Sequence, residues 1–188
     1  MNKELFNDFL KNFTPDSPLI KPTQEVLAYY EGILPEALLD FWKEYGFGNY
    51  GKGLIKVINP LEYKDNLYEW LGREDKSKVP IMMSAFGELF YYRKLTEVDD
   101  DVSVLDIHYR RINVCAYSFN GFIDFISDEE VYKELLREAL FNEAMDKLGP
   151  LKSNEIFMFA PALSLGGAEE LKYIDKGDAS THQQLLFG

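Results

Sequence analysis

The sequence predicts an α+β fold, a mostly antiparallel central sheet flanked by helices, with a helical C-terminal part. Three observations lead there. Apolar residues recur at helical spacing up to Gly46, short β-branched and aromatic runs divided by turn signals fill residues 54–116, and helical spacing returns from Phe119. The chain has 188 residues, 46% hydrophobic, and its 14 Phe, 12 Tyr and 2 Trp supply enough apolar surface for a core without a disulfide or metal staple.

Taken in order, Leu5, Phe6, Phe9, Leu10 and Phe13 form a helical stripe, which the prolines of residues 14–22 then break. A second helix begins near Thr23 and carries Val26, Leu27 and Tyr30 on one side. Pro35 holds a first-turn position, Leu38, Leu39, Trp42 and Tyr45 make a core-facing stripe, and Gly46 closes that helix in a left-handed conformation. Residues 54–58 read as a buried strand. Asn59 caps the next helix, Pro60 starts it, Tyr63, Leu67 and Trp70 point inward, and Gly72 ends it. Residues 72–78 are a surface loop. Residues 79–86 and 89–94 form a hairpin about Gly87 and Glu88, residues 97–101 are a connection, and 102–109 and 112–116 are two more strands. Phe119, Phe122, Ile123 and Ile126 open a helical part in which Ser127 and Glu130 match a capping box. Residues 141–148 are helical, 155–163 and 171–174 pair as strands, and 178–186 close the chain as a helix. The expected organisation is an α+β domain over 1–118 with a helical/β unit over 119–188 packed on it in one compact body.

Charge narrows the partners. The formal net charge is -12, with 12 basic and 14 acidic residues in 1–94 but 8 and 18 in 95–188. Acidic side chains cluster at Glu97 with Asp99, Asp100 and Asp101, at residues 128–130, and at Glu169 with Glu170. Such a surface repels phosphate backbones and attracts a basic partner. The first residues lack the uninterrupted apolar core of a signal peptide, and no apolar run approaches the ~20 residues of a membrane-spanning helix, so a cytoplasmic protein is expected.

Catalytic templates find no match. With Cys115 the single cysteine and His108 and His182 the two histidines, neither a disulfide nor a Cys- or His-rich metal site is expected, and no cofactor motif stands out. Gly46, Gly48, Gly51 and Gly53 follow a helix and precede a strand, the reverse of a phosphate loop, so they read as a helix-terminating turn. Ser84, Ser103 and Ser118 lack a nucleophile-elbow context. Asp106 and His108 share one side of a strand and would be an acid/base dyad if they lined a pocket; a hydrogen-bonded pair on the sheet face, or a half-exposed edge, is the preferred reading. Cys115 reads as a small buried apolar residue. No catalytic residue is assigned. Tyr50, with glycines around it, is expected to be exposed and to anchor a protein partner, with Asp99, Asp100 and Asp101 steering it.

The segment Leu-Pro-Glu-Ala-Leu-Leu-Asp-Phe-Trp-Lys-Glu-Tyr-Gly-Phe-Gly, residues 34–48, resembles the signature of the GAD-like domain. The resemblance continues through Tyr50-Gly51, Gly53-Leu54, Asn59-Pro60, Tyr63, Trp70-Leu71, Val79-Pro80-Ile81 and residues 85–90. Residues 148–151 and 159–167 are similar to the second unit found with that domain. Together they resemble type VI secretion immunity proteins that neutralise a cognate DNase effector, and the helix-then-glycine portion is similar to the broader Smi/Knr-type immunity superfamily. The resemblance implies a cytosolic, non-enzymatic antidote that binds a toxin domain, a nuclease, and it does not locate the contact residues. The basic character common among nucleases agrees with the acidic charge found here. Two other classes compete: a nucleic-acid or tRNA-associated module, which the charge opposes, and a small-molecule enzyme using the Asp106/His108 face.

Overall fold

A computed structural model of the chain describes residues 3–187; the expected outer bounds, Met1 and Gly188, lie outside them. After a 3-10 turn (Lys3–Phe6) come α1 (Asn7–Asn12), α2 (Gln24–Tyr30), α3 (Glu36–Glu44), β1 (Gly48–Tyr50), β2 (Ile55–Val57) and α4 (Pro60–Leu71). The chain continues with β3 (Lys78–Ser84), β4 (Leu89–Lys94), β5 (Asp100–Asp106) and β6 (Arg111–Ala116). Then follow α5 (Phe119–Ser127), α6 (Glu129–Leu135), α7 (Glu138–Leu148), β7 (Glu155–Phe159), β8 (Ile174–Asp178) and α8 (Ala179–Phe187). This is the α+β arrangement that the sequence predicts. Strands β1 to β6 form an antiparallel meander in chain order, and β7 and β8 form a separate antiparallel ribbon. The ribbon is tied to the sheet by the Phe157 amide, which donates to the Ala85 carbonyl at 2.8 Å.

Alternation along the strands sorts side chains onto two buried faces. In β4, Phe90 and Tyr92 enter the larger core with Phe6, Phe41, Trp42 and Phe122, whereas Leu89 and Tyr91 enter a second core with Tyr63, Leu67 and Leu186. On the larger core's side α5 packs on β5 and β6, and on the other side α4 packs on β3 with α8 beside it. The first helix of the chain meets the C-terminal part directly. Phe6 lies 6.2 Å from Phe119 and Phe13 lies 5.0 Å from Tyr132, ring centre to ring centre. The Asn12 amide also donates to the Ser127 carbonyl at 2.7 Å. Among the described residues, no helix is long and apolar enough to cross a membrane.

Helix ends follow the sequence closely. The Thr23 hydroxyl accepts from the Val26 amide at 3.3 Å, the Asn59 side chain accepts from Leu61 at 3.2 Å, and Gly72 closes α4 with φ 71°. Several expectations need correction, among them the strands 102–109 and 155–163, which end at Asp106 and Phe159 and leave His108 in the turn before β6. The cap of α6 is Asp128, whose carboxylate accepts from Glu130 and Val131, while the Ser127 hydroxyl turns back to the Ile123 carbonyl at 2.6 Å. The glycine segment is more than a turn: Gly48–Tyr50 pairs with β2, and Lys52 takes φ 62° in the bend that follows. Asp100 and Asp101 belong to β5 rather than to the connection before it, because the Arg93↔Asp101 and Lys94↔Asp100 pairs extend the ladder. Residues Leu171–Tyr173 form a 3-10 turn, and the strand that pairs with β7 starts at Ile174.

Candidate functional site

A cleft of about 640 Å³ opens between the outer half of the sheet and the junction of α6 with α7. Register builds its floor. Phe90, Val104 and Asn113 are successive partners across β4, β5 and β6, so they share one face, and Asp106 stands opposite Arg111 on the same face. The wall comes from Val131, Glu134 and Leu135 of α6, from Arg137 and from Glu169. Four carboxylates, Glu88, Asp106, Glu134 and Glu169, line it against two guanidiniums, Arg111 and Arg137.

An ion-pair chain forms the inner end. Glu88 follows Gly87, whose φ of 94° lets the chain turn where a Cβ would stand 2.8 Å from Ile156. Its carboxylate accepts from the Ser84 hydroxyl and pairs with Arg137 Nη1. Arg137 sits between the two helices at φ 53° and ψ 47°, a left-handed conformation for a residue with a side chain. Its other terminal nitrogen pairs with Glu169 at 3.0 Å, and the guanidinium lies 5.7 Å from the centre of the Phe86 ring. The Tyr109 hydroxyl donates to the same Glu169 oxygen at 3.0 Å. Burial pushes the Glu88 and Glu169 carboxyls upward, but the Arg137 charge prevails and holds both below the usual carboxylate range. Burial disfavours the Arg137 charge in turn, and the Glu88 carboxylate outweighs it and raises its pKa.

The arrangement pairs its serine with a carboxylate inside the core, out of solvent. Ser84 is 1% exposed and is hydrogen-bonded to Glu88, not to an imidazole. His108 is buried, with Nε2 2.9 Å from the Phe86 carbonyl and 3.7 Å from Glu88. The Asp106 carboxylate accepts from the backbone amides of His108 and Tyr109, both at 3.1 Å, and pairs with Arg111 at 3.2 Å. The imidazole and the carboxylate are therefore engaged apart, and the dyad geometry is not formed. What the cleft offers is a negative, partly apolar recess with fixed side chains.

The residues assigned to a partner surface fall differently from expectation. Tyr50 is 0% exposed, its hydroxyl donating to the Gly46 carbonyl at 2.7 Å and its ring 5.9 Å from that of Phe41. The expectation of an exposed anchor is corrected: β1 turns that ring into the core, and burial raises its hydroxyl pKa. Asp101 is 2% exposed and forms a two-point pair with Arg93, with Nε to Oδ1 at 2.6 Å. Asp100 accepts from the Phe119 amide at 2.7 Å and thereby joins β5 to the start of α5. Asp99 is exposed, in a turn closed by its bond from Thr96 at 3.0 Å. Cys115 is half-buried, and burial pushes its thiol up to about 12.

Sequence reasoning missed the Glu88–Arg137–Glu169 chain. A lone glutamate inside Ala-Phe-Gly-Glu-Leu-Phe is a signal for a buried, paired carboxylate, yet nothing in the order of residues names a partner 49 positions away.

Residues 4–105 match the family model described as GAD-like domain. Residues 116–188 match the one described as T6SS immunity protein Tdi1, C-terminal. The crystal structure of Atu4351 from Agrobacterium tumefaciens has a TM-score of 0.80 to this chain at 21% sequence identity, over 97% of this chain and 88% of that one. At that identity the likeness is one of fold. No curated protein matches the chain. The chain belongs to the GAD-like domain family, and its C-terminal part matches the family of the type VI secretion immunity protein Tdi1.

Proposed function

We propose that this chain is the antidote to a secreted toxin, which it neutralises in the cytoplasm by binding and without chemistry of its own. The observation that carries the reading is the pair of family matches, a GAD-like unit over 4–105 followed by an immunity-protein unit over 116–188. The two parts act as one body in this reading, with the division near residue 118. The toxin is a basic domain, a nuclease, and the formal charge of -12 together with the four carboxylates of the cleft supports that polarity. Exposed acidic residues such as Asp99 raise the association rate by long-range attraction. Tyr50 and Asp101 have no direct part, since both are buried.

Co-expression tests the reading. Where a toxin-like reading frame adjoins this gene, cells producing its product should survive when the chain is co-produced and die without it. Death at equal levels of both proteins would remove the proposal.

A further inference from the structure

We propose that the β6 edge is the toxin-docking strand, pairing with an extended segment of the toxin that alternates basic and apolar side chains. The inference rests on the antidote reading above and names the surface that carries it. Strand β6 lies at the end of the meander and, among the described residues, pairs with β5 alone, so no described strand lies beside its outer backbone groups. Arg111, Ile112, Asn113 and Val114 are all exposed, with Ile112 at 44% and Val114 at 41%. The strand contains neither Pro nor Gly. Open edges of this length are normally shielded, because they recruit other chains.

The opposite edge is shielded. Strand β1 has three residues and is covered by the chain's own N-terminal segment through the Pro15↔Tyr50 and Ile20↔Phe47 bridges. The fold therefore closes one end of its sheet and leaves the other available for strand addition.

Register and charge specify the occupant. An added strand continues the alternation of β6, sending successive side chains to opposite faces. On one face it would follow Arg111 and Asn113 into the cleft, where the exposed carboxylate of Glu134 favours Lys or Arg, Glu169 being held by Arg137 and Tyr109. On the other it would follow Ile112 and Val114, with the Tyr117 ring, 87% exposed, just beyond the strand. Neither family match covers residues 106–115, the hairpin that holds most of β6.

The experiment uses the full chain and, as probe, an inactive variant of the toxin that co-expression identifies as its cognate. Hydrogen exchange of the complex should show the amides of 111–116 slowed relative to the free chain. The double variant Ile112→Lys/Val114→Lys should bind roughly 30-fold more weakly or worse, with an unchanged thermal melt, because both side chains are half-exposed. A complex that forms while those amides exchange at their free rate overturns the inference and leaves the antidote reading intact. So does a folded double variant that binds as the parent does. A free chain that is a dimer, and becomes a monomer on the double substitution, assigns the edge to a second copy and also overturns it. A parent chain that fails to bind the toxin overturns the antidote reading, and this inference with it.

Discussion

Arg137 and Glu88 form an ion pair across 49 residues of sequence, with side chains 14% and 6% exposed. The pair fastens the turn between β3 and β4 to the start of α7. Removing one member of a buried pair leaves the other charged and unpaired, at a cost of about 3–5 kcal/mol. Arg137→Met should therefore lower the unfolding free energy by that amount in urea titration. Adding Glu88→Gln should recover part of the loss. A single variant as stable as the parent would show that the pair contributes nothing.

Lys56 is 0% exposed, and its ammonium donates to Asn49 and, at 3.1 Å, to the Lys152 carbonyl. Burial lowers its pKa to about 7. Between pH 7 and its ordinary value of about 10.4 the unfolded chain keeps the proton that the folded chain has lost, so stability rises with pH in this window. From pH 7 to pH 9 the parent should gain about 2 kcal/mol relative to Lys56→Met. Denaturation at the two pH values measures it. Equal slopes in the two proteins would show that Lys56 does not titrate there.

Trp42 is 0% exposed, 5.0 Å from Phe47 ring to ring, and Gly46 lies at φ 106°. Trp42→Ala should cost about 3–5 kcal/mol. A Cβ at Gly46 would stand 2.7 Å from the Ile20 carbonyl oxygen, so Gly46→Ala should also lower the melting temperature, by disturbing the cover of β1. An unchanged melt for Trp42→Ala would place that ring outside the core.

The aspartates at the start of β5 should separate by role. Asp101→Asn breaks the pair with Arg93 and should destabilise the fold, whereas Asp99→Asn should leave the melt unchanged. In surface-plasmon kinetics at two ionic strengths, Asp99→Asn should slow association with the cognate toxin at low salt only. An association rate insensitive to salt would remove the steering role.

Local signals carried most of the fold. The Asn59 cap and the Gly72 stop are each written within a few neighbouring residues, and each is found in place. Long-range signals were absent. Tyr50 looked exposed because its glycines suit a turn, but the covering segment, residues 15–20, lies some thirty residues away. Asp101 looked like one of a run of surface charges, and only the β4–β5 register reveals Arg93 opposite it. The cleft depends on the meeting of β6, α6 and Glu169, which no local pattern encodes.

Inhibition by binding has a stoichiometric signature that an enzyme cannot mimic. On the proposed nuclease-antidote reading, the decisive measurement titrates the chain into its active cognate toxin domain while plasmid DNA cleavage is followed. Cleavage should fall linearly and end at one chain per toxin domain. Cleavage that persists in excess chain, or that is abolished by a small fraction of an equivalent, would contradict a stoichiometric antidote.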